Sequence, residues 1–162
     1  MKGRIKAGEG TLVGNAGEDY VMAELLKRGV IAALTPRNAP AFDILATKNG
    51  MDARVRVKTK SEDYDIWQWN AHKDGTIFRL LGEERDFTIL VNLAAKIEEL
   101  SFYVVPTKKL SAWLSKEHEQ WLQTPGKDGR KHSDENRKRH LNQKKHESLI
   151  APHLDDWDGL GR

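Results

Sequence analysis

Apolar positions change their period several times along this chain, and each change predicts where an element begins or ends. Asn15 stands as an N-cap after Leu12 to Gly14. Tyr20, Val21, Ala23, Leu25 and Leu26 then form the apolar stripe of a helix that closes at Lys27-Arg28-Gly29, two cations followed by a glycine. Residues 30–34 are apolar and partly β-branched, and prolines at 36 and 40 cut the run off, so a strand is followed by a proline-framed loop. Residues 42–47 predict the next strand. Lys48-Asn49-Gly50 contains an Asn-Gly turn signal, and residues 52–59 alternate, with Val55 and Val57 on one face and Arg54, Arg56 and Lys58 on the other. The two runs predict a hairpin.

Residues 61–84 are polar, with Ile66, Trp67 and Trp69 as apolar islands, and predict a loop with short elements. Residues 86–93 read as a buried strand, and 101–105 as another that ends at Pro106. Thr107 is placed to cap a helix containing Leu110, Trp113 and Leu114 and running to Leu122. Thr124-Pro125-Gly126 breaks the chain, and a second, polar helix is predicted between Ser133 and Ile150. The order of elements predicts an α/β (α+β) fold with a central mixed sheet flanked by helices. Its core would span residues 1–122, with a basic, partly helical extension over 123–162.

Composition narrows the chemistry. A chain of 162 residues supports one ordinary core, and the absence of cysteine excludes disulfide scaffolds, thiol nucleophiles, cysteine zinc sites and iron-sulfur clusters. No apolar run approaches the roughly 20 residues that span a bilayer, and Met1 to Lys6 leads into Ala-Gly-Glu-Gly rather than a signal core. No membrane partner and a cytoplasmic location are the expectations. Positive charge is concentrated at the two ends: residues 1–60 carry 11 Lys/Arg against 6 Asp/Glu, 61–126 carry 7 against 11, and 127–162 carry 9 against 7. Such basic segments neutralise phosphates, although a solvated helix face has the same composition.

Glu18, Asp43 and Lys58 converge if the first helix packs across the hairpin, because Asp43 and Lys58 both lie near its open end. Two carboxylates beside an ammonium suit metal-assisted phosphodiester hydrolysis, the oxygens holding Mg²⁺ and the cation stabilising charge on phosphorus. Taken singly, each residue has a plainer reading: Glu18 favours the helix dipole, and the Arg54, Arg56 and Lys58 row is a solvated hairpin face. Trp67 and Trp69 read as packing in preference to base stacking. The histidines lack metal-ligand spacing, and there is no glycine-rich phosphate loop, Gly-x-Ser-x-Gly elbow or dinucleotide fingerprint.

Gly17-Glu18 on the helix, Phe42-Asp43-Ile44-Leu45 after the proline-bounded loop, and Val55-Arg56-Val57-Lys58-Thr59 resemble the three core elements of the PD-(D/E)xK nuclease superfamily, in its restriction-endonuclease-like and Holliday-junction-resolvase-like branch. The resemblance covers about Gly14 to Val105. It implies a restriction-endonuclease-like fold and a DNA endonuclease using Mg²⁺ or Mn²⁺, acting alone or as a homodimer. Asp43 and Glu18 would be metal ligands, the Val57 carbonyl a further one, and Lys58 the catalytic lysine. Where the family has Glu, Asp or Gln, this chain has Arg56, a permanent cation that ligates no metal. The alternative is therefore a catalytically inactive nucleic-acid-binding module on the same fold, in which Arg56 pairs with Asp43 or Glu18 and metal binding is weak or absent. Arg54, Arg56, Lys60, Arg137, Lys138 and Arg139 are the expected contacts to nucleic acid.

Overall fold

Helix α1 runs Gly10–Lys27 in the computed structural model, which describes residues 10–37 and 39–160; the N-terminal stretch scanned for a signal core lies outside them. Asn15 is inside this helix rather than at its cap. The preceding turn holds Thr11, Val13 and Gly14, weak helix formers of which the glycine is the worst at about 1 kcal/mol, and no proline, so the helix propagates through it. Gly17, Val21 and Leu25, spaced four apart, form the buried stripe, and Gly29 at φ 72° ends the helix as the sequence predicts.

Strands β1 (Ile31–Leu34), β2 (Ile44–Lys48), β3 (Met51–Ser61), β5 (Asp86–Leu93) and β6 (Ser101–Pro106) form a five-stranded sheet in the order β1-β2-β3-β5-β6. The sheet is mixed: β3 and β5 are parallel, and the other neighbours antiparallel. Asn49 and Gly50 both have positive φ, 52° and 75°, the backbone that a two-residue hairpin turn demands. The predicted central mixed sheet with flanking helices is the observed architecture. No helix among the described residues is long and apolar enough to cross a membrane.

Two apolar layers cover the sheet. On one face α1 packs through Val21 and Leu25 against Val55, Ile89, Val91 and Val104, together with Trp157 and Leu160 from the far end of the chain. On the other face lie α2 (Thr107–Gln123) and a separate two-stranded ribbon of β4 (Ile66–Asn70) and β7 (Lys138–Asn142). Trp67, Trp69, Leu90, Val105, Leu110, Leu141 and Ile150 meet there. Thr107 is the first helical residue, not the cap, and its hydroxyl pairs with that of Thr88 at 2.9 Å.

Two expectations change. Residues 66–70, in a stretch read as loop with short elements, are a regular strand paired in a ribbon, and the polar helix predicted over 133–150 is strand β7 followed by the short helix α3 (Glu147–Ile150). Trp67 and Leu141 face each other across the ribbon, so burial of both side chains outweighs the polar character of each segment. The extension set apart at 123–162 therefore contributes to both layers. Leu141 and Ile150 are buried as core residues, whereas Leu149 is exposed.

The ribbon also alters the cationic row of β3. Its tryptophans lie over the row, and the Nζ of Lys60 is 4.8 Å from the Trp67 ring centroid and donates to Asn92 Oδ1 at 2.6 Å. Burial pulls the Lys60 pKa down to about 8. The unfolded chain keeps that proton until about pH 10.4. Between these values the unfolded state binds more protons, so stability rises with pH. The Lys60→Met variant should show a flatter rise in urea-denaturation stability between about pH 8 and pH 10. An unchanged slope would mean that Lys60 is not buried as a charge.

Candidate nucleic-acid and metal site

The two-residue turn dictates what stands beside Asp43. Ile44 pairs with Val55, so the same register carried one residue further sets Asp43 opposite Arg56, with Lys58 one same-face position beyond. Arg56, not Lys58, is thus the immediate neighbour of Asp43 on the adjacent strand. The Asp43 N–H donates to the Val55 carbonyl at 2.9 Å, and its Oδ2 accepts from the Val57 N–H at 2.7 Å. That second bond substitutes for a strand partner where β2 has not yet begun, and it locks the carboxylate against the edge of β3. Asp43 Oδ1 lies 3.5 Å from Arg56 Nη1, and the Arg56 side chain is 38% exposed. So long and exposed an ion pair contributes about 0–1 kcal/mol, which leaves Arg56 free to turn towards a competing anion.

Glu18 reaches the same place through a close approach of backbone to sheet. A Cβ built on Gly17 would lie 1.8 Å from Thr59 Oγ1, so only glycine lets α1 descend this far onto β3. Burial pushes the Glu18 carboxyl above its usual range; the Asp43 charge adds to the shift, while Arg56 and Arg37 oppose it. Burial lowers the Lys58 pKa, with Arg56 adding to the effect and Asp43 opposing it. The Lys58 Nζ sits 5.7 Å from the Trp69 ring centroid. Three segments of the chain thus bring Glu18 and Lys58 each within electrostatic reach of Asp43 and Arg56.

The oxygens available to a divalent ion are few. Among the described residues there is no group of three or more His, Asp or Glu that could hold a metal. Strand alternation turns the Val57 carbonyl to the same edge as its N–H, beyond the start of β2, beside Asp43. Two carboxylates and one carbonyl fit Mg²⁺ of the kind that keeps several waters and completes its shell with substrate phosphates, but not an ion enclosed by protein. The fit requires Arg56 to leave Asp43 Oδ1.

The remaining candidates divide. Arg54 forms a two-bond fork to Asp86, Nε to Oδ1 and Nη2 to Oδ2, both at 2.7 Å. Burial acts to raise the Asp86 carboxyl, but Arg54 and the N–H groups of Gly82 and Glu83 outweigh it and hold the pKa below the usual range. Arg54 therefore joins β3 to the start of β5, and Lys60 lies under Trp67. Neither presents a free charge to phosphate. Arg137 and Lys138 are exposed, whereas Arg139 is buried. Sequence reasoning missed Arg37, Trp69 and Asp86 as parts of this neighbourhood. Only the acid opening a long apolar strand, Asp86, carried a signal: a buried carboxylate there needs a cation.

No family profile and no curated protein sequence matches the chain. Among solved structures, it is similar to a bacterial homing endonuclease at 23% identity, over 59% of this chain and 64% of that one, with a TM-score of 0.40. The match thus spans under two thirds of that endonuclease's own length. The chain is also similar to the Holliday junction resolvase of the archaeal hyperthermophile Archaeoglobus fulgidus at 14% identity, over 90% of this chain and 93% of that one, with a TM-score of 0.47. Both likenesses are of fold.

Proposed function

We propose that this protein is a nuclease that hydrolyses phosphodiester bonds in DNA, with Mg²⁺ or Mn²⁺ held by Asp43, Glu18 and the Val57 carbonyl. The observation that supports this reading best is that Asp43, held by the Val57 N–H at 2.7 Å where β2 begins, acts electrostatically on both Glu18 and Lys58. When bound, the ion supplies Lewis-acid polarisation of a phosphoryl oxygen. Asp43 is preset for its role because the Val57 N–H fixes its rotamer. Glu18 would be the second carboxylate on that ion, presented from α1. Lys58 places an ammonium against the phosphate as charge develops, and Arg56, released from Asp43, pairs with the same or an adjacent phosphate.

The Asp43→Asn variant should fold as the wild type does, since the amide keeps an oxygen for the Val57 N–H, and should lose DNA cleavage in Mg²⁺ or Mn²⁺. Lys58→Met should lower the cleavage rate by about 10²–10³-fold, as removal of a charge-stabilising donor does elsewhere. A second reading, the inactive nucleic-acid-binding module, is favoured by one observation, the Arg56–Asp43 pair at 3.5 Å. Arg56→Gln distinguishes the two, because it removes that cation and adds an oxygen. An inert wild type that gains Mn²⁺ affinity by calorimetry on this change establishes the module. Wild-type cleavage that survives Asp43→Asn refutes the proposed site.

A further inference from the structure

The second half of α2 faces the free edge of β7 across a cavity of about 510 Å³, a volume in the range that binds small ligands. Arg139 lines it and is only 8% exposed. Its Nη1 donates to the carbonyls of Asn136 at 2.9 Å and Lys138 at 3.1 Å, and no carboxylate among the described residues pairs with it. A guanidinium taken out of water without a counter-ion is unfavourable, and an anion in the cavity would remedy that.

The same cavity has an aromatic wall. His118 and Trp121, one helical turn apart, are stacked with centroids 5.5 Å apart at 21°. His132 continues the stack behind Trp121 at 3.8 Å and 15°. Burial and then the charge of Arg139 lower the His118 pKa, which favours a neutral ring that stacks without adding charge. An anion site beside a stacking surface is the recognition chemistry of a nucleotide.

The β4–β7 ribbon connects this cavity to the candidate nuclease site. Trp69 stands directly opposite Arg139 in the β4–β7 ladder, and Lys58 Nζ lies over the Trp69 ring. We propose that this cavity receives an unpaired nucleotide of the bound nucleic-acid strand, its phosphate on Arg139 and its base on the outer face of His118, the ring that ends the stack. The proposal rests on the nuclease reading and deepens it: the substrate class is DNA with a single-stranded or splayed segment next to the cut. A base inside an intact duplex has no open face to offer these rings.

The experiment compares a fluorescein-labelled oligothymidylate, a blunt duplex and thymidine monophosphate, with chelator present to prevent cleavage. In anisotropy titrations, His118→Ala and Arg139→Gln should each weaken oligothymidylate binding by about tenfold, the scale of one lost stacking contact, and leave the blunt duplex unchanged. Trp121→Phe should retain binding and lose part of the tryptophan quenching that the oligonucleotide causes. His118 lies on the helix surface, so His118→Ala stays informative even if Arg139→Gln fails to fold. Equal oligothymidylate affinity for wild type and His118→Ala overturns the inference, as does monophosphate binding as tight as that of the oligonucleotide. A tenfold loss in His118→Ala, together with a wild type that cleaves no DNA in Mg²⁺ or Mn²⁺, keeps the subsite and ends the nuclease assignment on which its role rests. Wild type that binds neither nucleic acid overturns both.

Discussion

Removal of residues 127–162 should leave a chain that does not fold. The deletion takes Trp157 and Leu160 out of one apolar layer and Leu141 and Ile150 out of the other, all four buried. Each loss of this type destabilises by about 2–5 kcal/mol, so four together reach the whole stability of an ordinary domain, about 5–15 kcal/mol. The deletion also strips β4 of its partner β7 and opens Trp67 and Trp69 to solvent. On the α1 side, Arg28 loses the Trp157 ring 4.5 Å beneath it, and Phe102 loses a ring contact at 5.6 Å. Circular dichroism of the truncated chain should show no cooperative melt. A cooperative melt would establish residues 1–126 as an independent unit and the rest as an appendage. Trp157→Ala, a milder form of the same test, should lower stability by about 3–5 kcal/mol.

Alanine at two glycines of α1 should have opposite effects. At Gly14 an added Cβ meets nothing within 4 Å, and the change should stabilise by up to about 1 kcal/mol through helix propensity alone. At Gly17 the same methyl would lie 1.8 Å from Thr59 Oγ1 and 2.9 Å from Thr59 Cβ and Cγ2. Rotation of the threonine cannot clear contacts to its own Cβ, so the helix must rise from the sheet, at about 1–3 kcal/mol for overpacking. The two variants should therefore differ in unfolding free energy by about that amount, and only Gly17→Ala should weaken DNA cleavage, because it carries Glu18 away from Asp43. Adding Thr59→Ala to Gly17→Ala removes the nearest atom and should recover part of both losses. Two alanine variants of equal stability would show that α1 does not lie this close to β3.

The candidate site was legible because its parts depend on local rules. Asn49-Gly50 specifies a two-residue turn whatever surrounds it, and that turn sets the register of β2 on β3 and so the place of Asp43 along Arg56, Val57 and Lys58. Alternation in β3 told which side chains share a face. Neither rule says what covers that face. The Arg54, Arg56 and Lys58 row reads as solvated in sequence, yet Trp69 lies over Lys58 as Trp67 does over Lys60, and Asp86, from a strand 32 residues away, claims Arg54.

Residues 133–150 show the opposite case. Their polarity and scattered apolar positions suit a helix as well as a strand, and the chain becomes a strand there because β4 offers a free edge and the sheet offers room for Leu141. Local chemistry along the chain thus set the turns and the strand faces and singled out Glu18, Asp43 and Lys58 as candidates, since backbone preference and side-chain period act over a few residues. The tertiary structure decided the partner of Asp43's free oxygen, the burial of Lys58 and Lys60 and the absorption of the C-terminal segment into both layers. Those depend on which distant surfaces exclude water from one another, and no short window of sequence contains both surfaces.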